Sequence, residues 1–218
     1  MLITDLFDLN HTLAKTHLER YTYPWEVLAD IKDMILELGK NLDDSYVQET
    51  PGVWVHRTAT VAPTAFLGAP CIIGPETQVR HCAFIRGSAL VGAECVVGNS
   101  VELKNVILFD KVQVPHYNYV GDSILGYKAH MGAGSITSNV KSDKSLVVIR
   151  GASGTLETGR KKVGAMLGDF VEVGCNSVLN PGTVIGRNSQ IYPLSCVRGV
   201  VPEESIYKTG GVIIRKAK

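Results

Sequence analysis

CIIGPETQVRHCAFIRGSALVGAECVVGNSVELK, residues 71 to 104, is the stretch whose reading decides the fold. An aliphatic residue returns in it at every sixth position: Ile73, Val79, Ile85, Val91, Val97 and Leu103. Two positions before each stands a mostly small residue: Cys71, Thr77, Ala83, Ala89, Cys95 and Val101. Working outward, the same beat begins at Val55, Val61 and Leu67, runs on to Phe109, resumes at Leu125, Met131 and Thr137, and returns at Leu167, Val173, Leu179, Ile185, Ile191 and Val197.

Neither a helix, with its period of 3.6, nor a strand, with its period of 2, makes a repeat of six. A short strand, a turn and another short strand wound around a triangular prism do. Each hexad then supplies one side, three hexads close a coil, and the two marked residues of each hexad point inward. The expected fold is all-β: a left-handed parallel β-helix of hexapeptide repeats with a short α-helical N-terminal segment. The glycines after the aliphatic residue, such as Gly68, Gly74, Gly92 and Gly98, are read as corner residues that tolerate φ > 0. A β-sandwich would need turn signals about every 8 to 12 residues, and these are missing.

The chain has 218 residues and a net charge of +1. That length fits one large domain with an appendage: residues 1–50 as a helical cap or linker and 51–218 as the β-helix, with a loop insertion at about 140–162. The balanced charge argues against a general nucleic-acid or membrane-surface binder. No apolar run approaches the roughly 18 residues of a membrane span, and the start lacks a signal-peptide pattern, so a soluble cytoplasmic protein is expected. Of the five cysteines, Cys71 and Cys95 fall on small inward positions. Cys82, Cys175 and Cys196 form no CxxC pair and have no histidine at zinc-ligand spacing, which predicts free thiols and no metal.

In the first 50 residues, Val27, Leu28, Ile31, Met34, Ile35 and Leu38, with Pro24 before and Gly39 after, predict an amphipathic helix; a weaker pattern spans Asp5 to Glu19. These helices are expected to cap the open first coil. Two outward rows are apolar: Ile72, Leu90 and Leu108, and Phe66 with Phe84. Both are read as subunit interfaces, and a three-sided prism packs readily into a cyclic homotrimer.

Coils stack about 4.8 Å apart, so residues 18 apart lie above one another. Arg86 and Lys104 are such a pair, at a corner where Gly is the rule. With no obvious carboxylate between them, two cations this close are either solvated or bridged by an anion, for which phosphate is suited. Between Phe109 and Leu125 the register slips, across Val112-Gln113-Val114-Pro115-His116-Tyr117-Asn118-Tyr119-Val120-Gly121-Asp122. Breaks in a strict rule are expected at functional sites. His116 is the group there suited to take a proton near neutral pH, with a structural role as the alternative.

Val101-Glu102-Leu103-Lys104, the run Pro115 to Asp122, and Met131-Gly132-Ala133-Gly134-Ser135-Ile136-Thr137-Ser138-Asn139 together resemble the acetyltransferase domain of the bifunctional N-acetylglucosamine-1-phosphate uridylyltransferase/glucosamine-1-phosphate acetyltransferase family. They resemble still more the archaeal-type sugar-phosphate nucleotidylyltransferases that carry such a domain. The similarity spans about Val53 to Tyr207. It implies acetyl transfer from acetyl-CoA to the amine of an amino-sugar 1-phosphate, in UDP-N-acetylglucosamine biosynthesis, at sites between the subunits of a homotrimer. His116 matches the family's general base. Arg86, Lys104 and Tyr119 match residues that hold the sugar phosphate, and Asn139 one near the sugar and acetyl group. Ala133 and Cys175 sit where the family contacts acetyl-CoA.

Three departures accompany the resemblance. His130 replaces an asparagine that touches the sugar, Cys175 replaces a serine, and no nucleotidylyltransferase domain precedes the repeats. The chain is therefore expected to lack uridylyl transfer, with a separate nucleotidylyltransferase as a conceivable partner of the N-terminal helices. An acyltransferase with another acceptor, such as a nucleotide sugar or another amine or hydroxyl, stays open because of His130. So does a non-catalytic trimeric scaffold, which would have no need of Arg86, Lys104, His116, Tyr119 and Asn139 together. A carbonic anhydrase of this fold would need three zinc-binding histidines, and the spacing of the six here does not supply them. The polar stretch from Val140 to Lys162, with Arg150, Arg160, Lys161 and Lys162, is read as a loop that leaves the prism, either to offer cations to coenzyme A phosphates or the sugar phosphate in a neighbouring subunit's cleft or as solvated surface. Val212-Ile213-Ile214-Arg215-Lys216 predicts a last short strand.

Overall fold

The computed structural model describes residues 1–151 and 154–217. The chain is a left-handed parallel β-helix of about 8 turns. Strands of successive coils pair in parallel, as Val53–His56 does with Cys71–Ile73 and that strand with Ala89–Val91. The first face of the prism holds this stack. The second holds Thr60–Val61, Gln78–Val79, Val96–Asn99, Gln113–His116, His130–Met131, Glu172–Val173 and Gln190–Ile191. The third begins with Phe66–Leu67 and Phe84–Ile85 and ends with Val178–Leu179 and Cys196–Val197. Inward residues such as Ile85, Val91, Val97, Leu103 and Leu179 fill the interior with no exposure.

The strand Glu102–Leu108 carries the chain from the third face to the first, and it corrects the register expected from sequence. Ala89 pairs with Val106 and Val91 with Leu108, 17 residues apart rather than 18. The next coil is also short, with Val106 opposite Ser123 and Leu108 opposite Leu125. Leu108, not Phe109, therefore points inward. Phe109 lies outside the prism, buried against Phe7 with ring centroids 5.1 Å apart.

The expectation about corner glycines is also corrected. The left-handed residues fall two positions later and are mostly not glycine: Glu76 (φ 55°), Cys82 (φ 60°) and Ser88 (φ 51°). Gly74 is needed for a different reason: a Cβ there would sit 2.5 Å from the Gly92 carbonyl oxygen of the next coil. Coil-to-coil contact at the corner excludes side chains, and the backbone conformation does not require Gly there.

The N-terminal segment is broken into short pieces: α1 (Ile3–Leu6), α2 (Lys15–Leu18), a 3₁₀ turn at Glu26–Ala29, and α3 (Ile31–Gly39). Neither expected helix is continuous. The segment lies along the side of the prism instead of across its open end. Met1 and Leu6 line a cleft with Val184 and Val200 of late coils, the Leu6 carbonyl accepts from Asp169 N–H (3.0 Å), Asn105 Nδ2 donates to the Leu28 carbonyl (3.0 Å), and Gly39 packs on Trp54 of the first coil. It covers the outward row of the first face, Ile72, Leu90, Ile107, Ile124, Met166 and Val184, all without exposure. The row expected to be Ile72, Leu90 and Leu108 is thus Ile72, Leu90 and Ile107, and the chain's own helices cover it, not a second subunit. Asp169 anchors this packing, accepting from Asp8 N–H (2.7 Å) and Tyr127 N–H (2.8 Å); desolvation pushes its carboxyl above the usual range.

The insertion after Asn139 folds back as an antiparallel hairpin, Val148–Gly151 with Gly154–Glu157, whose Val147 and Ile149 are buried. It is neither a free arm nor a wholly solvated loop. Ile213–Arg215 forms the expected last strand, antiparallel to Ser205–Tyr207. All five cysteines are free thiols; Cys71 and Cys95 are buried, which pushes each up to about 12. Among the described residues no helix is long and apolar enough to cross a membrane, and no cluster of His, Cys, Asp and Glu forms a metal site.

Candidate active site

The two short coils and the third face assemble the site. In a regular corner the left-handed residue comes three positions after the inward aliphatic; after Leu103 and after Val120 it comes two positions after. The left-handed residues of these tight corners are Asn105 (φ 55°) and Asp122 (φ 49°). Losing one residue brings Asp122 of the next coil directly above Lys104 and Asn105. Asp122 is 3% exposed and accepts from Lys104 Nζ (2.9 and 3.1 Å), Asn105 Nδ2 (2.9 Å) and Asn139 Nδ2 (2.5 Å).

Tyr119 opens the strand Tyr119–Leu125, and its ring lies across the face towards this cluster. Its Oη accepts from Asn139 Nδ2 at 3.2 Å, and burial pushes the phenol above its usual range. Gly121 makes room for it, because a Cβ there would lie 2.5 Å from the Tyr119 oxygen. Arg86 stands one coil below Lys104, as the spacing of 18 requires, and its Nη1 donates to Glu102 Oε1 at 2.8 Å. One expectation fails here. Each of the two stacked cations already has a carboxylate partner, so their mutual repulsion no longer demands an external anion.

The opposite edge of the same face carries the other group. Asn99 pairs with His116, the His116 carbonyl accepts from Gly134 N–H (3.0 Å), and the Ala133 carbonyl accepts from Asn176 N–H (2.8 Å). His116, Ala133 and Cys175 therefore rise in one column, coil upon coil. His116 is exposed, and its backbone is fixed by buried Asn118, whose Oδ1 accepts from His116 N–H (3.1 Å) while its Nδ2 donates to the Gly132 carbonyl (2.8 Å). Tyr117, beside it at φ 52°, turns the corner. The face between the two edges is about three residues wide, roughly 10 Å at 3.3 Å per residue.

His130 is set apart. It lies on the second face, around the corner from Tyr119, with Nδ1 2.7 Å from Glu172 Oε2. It lines a cleft of ≈ 420 Å³ with Lys111, Gln113 and Lys128. One chain thus brings together Arg86, Lys104, Tyr119 and Asn139 at one edge and His116, Ala133 and Cys175 at the other, and leaves His130 outside both.

The bifunctional protein GlmU of Methanococcus maripaludis is 30% identical over 202 residues, 90% of this chain and 48% of that protein. The similarity to GlmU runs along most of this chain. It spans about half the length of that relative. A bifunctional sugar-1-phosphate nucleotidylyltransferase/acetyltransferase of Sulfurisphaera tokodaii is 33% identical over 109 residues, covering 50% of this chain and 27% of that one. The family model of the GMPPB C-terminal domain matches residues 69–157. A solved hexapeptide transferase family protein from Anaplasma phagocytophilum is 16% identical with a TM-score of 0.43, covering 77% of this chain and 81% of that one, a likeness too slight to argue from. The GlmU-like stretch takes in both edges of the site.

Sequence reasoning missed three groups. Asp122 holds Lys104 and Asn139, Asn118 fixes the His116 corner, and Glu102 pairs with Arg86. Asp122 carried a readable signal, because it lies 18 residues after Lys104. Glu102 lies one coil above Phe84, not beside Arg86 in sequence, so only the stacked coils bring it within reach.

Proposed function

We propose that this chain transfers the acetyl group of acetyl-CoA to the amine of an amino-sugar 1-phosphate, with glucosamine 1-phosphate as the acceptor, in a cytoplasmic route towards UDP-N-acetylglucosamine. The observation that carries the reading is the division of one open face between an exposed histidine edge and an edge of polar groups with carboxylate-paired Arg86 and Lys104. His116, with small Ala133 and Cys175 above it, fits a base beside a thioester; Arg86, Lys104, Tyr119 and Asn139 fit a polar, phosphate-bearing sugar. In the reaction the neutral amine attacks the thioester carbonyl carbon, His116 takes the amine proton, and a backbone N–H holds the oxyanion. As the C–S bond breaks, the imidazolium returns the proton to the departing thiolate. Asp122 touches neither substrate in this scheme; it holds Lys104 and Asn139 in place.

The exposed rings of Phe66 and Phe84 on the same face support a homotrimer in which a second copy closes the site. His130, around the corner in its own chain, would then face the neighbour's sugar. A second reading, an acyltransferase for another acceptor such as a nucleotide sugar, is favoured by the His130–Glu172 pair, which offers that neighbour an imidazole and a carboxylate.

Thiol release from acetyl-CoA with glucosamine 1-phosphate tests the first reading. The wild type is expected to turn over, and His116→Ala to lower the rate by roughly 10²-fold or more, the usual scale for a general base. No turnover by a folded wild type overturns the glucosamine 1-phosphate assignment and sends the test to a panel of nucleotide sugars.

A further inference from the structure

The edge that carries Arg86 and Lys104 continues upward, and its upper end has a second group of cations. Along this corner Lys104 stacks under Gly121, and after Ser138 and Asn180 the column reaches Arg198. Four coil steps of about 4.8 Å put Arg198 roughly 19 Å from Lys104. The hairpin comes down on this corner. Gly182 (φ 78°) and Gly199 (φ 73°) occupy its left-handed positions, and a Cβ on either would meet hairpin backbone, the Val148 oxygen at 2.9 Å or the Arg150 oxygen at 2.7 Å. Buried Val147 and Ile149 pin the hairpin there, so Arg150 is delivered by a fixed element.

The result is a cleft of ≈ 90 Å³ lined by Lys141, Val148, Arg150, Asn180, Pro181, Arg198 and Gly199. It has three cations and no carboxylate in its lining. Lys141 leans towards Asp143 (3.6 Å), outside the cleft, and among the described residues Arg150 and Arg198 take part in no ion pair. Asn180 is held by its own donation to the Val197 carbonyl at 2.9 Å. This contrasts with Arg86 and Lys104, where the same edge supplies a carboxylate to each cation. Two unpaired guanidinium groups and an ammonium around a space of this size suit a compact, multiply charged oxyanion, which arginine grips through two oxygens at once.

We propose that this cleft binds a phosphate or diphosphate group. Two sources share that chemistry: free phosphate or diphosphate, and the phosphates of coenzyme A. Only the second rests on the acetyltransfer reading.

Calorimetric titration of diphosphate into the full chain at low ionic strength tests the site, with Arg150→Ala/Arg198→Ala and Arg86→Ala/Lys104→Ala compared to wild type. Arg150 and Arg198 are exposed, so the first variant is expected to melt as wild type does. It should bind diphosphate at least about tenfold more weakly, while the second variant keeps a diphosphate site of wild-type strength. No binding by the wild type, or a loss confined to the Arg86/Lys104 variant, overturns the proposal. Coenzyme A and 3′-dephospho-coenzyme A then separate the sources. Weaker binding of the first alone by the Arg150/Arg198 variant assigns the 3′-phosphate, equal weakening of both assigns the diphosphate, and no change in either assigns a free anion. Diphosphate binding in a chain without acetyl transfer would overturn the function proposed above and leave this site standing.

Discussion

Two outward rows of the prism have the same spacing and similar chemistry, and they end in opposite situations. Ile72 and Leu90, on the first face, are wholly buried under the N-terminal segment. Phe66 and Phe84, on the third, are 58% and 44% exposed. Burial of an apolar row is driven by the area removed from water, whoever removes it. Periodicity therefore shows that a row needs a cover without showing whether the cover is the same chain or another. The third face, left open, is the one that carries the candidate site.

The largest effect that sharpens this contrast is on stability. Leu90→Ala should cost about 2–5 kcal/mol in a denaturant melt, because it opens a cavity between helix and coil, whereas Phe84→Ala should change the free monomer by no more than about 0.5 kcal/mol. A loss for Phe84→Ala that is as large, and that disappears on dilution of both proteins, would show a second copy covering the third face as the helices cover the first.

A smaller effect separates the two edges of the open face. Asp122→Asn removes the anion that Lys104, Asn105 and Asn139 share, and should lower stability by about 1.5–3 kcal/mol. In an acetyl-transfer assay it should raise the KM for the sugar phosphate while leaving the KM for acetyl-CoA unchanged, since His116, Ala133 and Cys175 stand on the other edge. An equal rise in both would show that the edges do not act separately.

The smallest effect belongs to the covered face. The Met1 amine, 2.6 Å away, and the Leu2 N–H hold the Asp5 carboxyl below its usual value of 3.8. A depressed folded value means the stabilisation is present above the unfolded value and is lost as pH falls through the folded one. Asp5→Asn should therefore cost up to about 1 kcal/mol near pH 7, screened because the group is half exposed, and nothing near pH 2. A difference that persists at pH 2 would show the helix end to be held by packing and not by charge.

Much of this was legible in the sequence. The six-residue beat gave the prism, because an inward position every sixth residue is a direct consequence of three-sided winding, and the spacing of 18 alone places Arg86 under Lys104. The break in the beat between Phe109 and Leu125 marked the corner after Val120, whereas the earlier missing residue, at the corner after Leu103, went unmarked. A single deletion slides every later residue by one, so Phe109 was assigned to the interior in place of Leu108, and Ile107 was lost from the outward row.

By itself, then, the sequence determined the architecture and the stacking partners within a coil's length, since these depend on local repeat geometry. Only the tertiary structure decided which apolar row the helices cover, that Glu102 and Asp122 neutralise the stacked cations, and that the hairpin lays Arg150 beside Arg198. Those contacts join segments between 16 and 161 residues apart, and their distances depend on corner lengths and packing that no local pattern encodes.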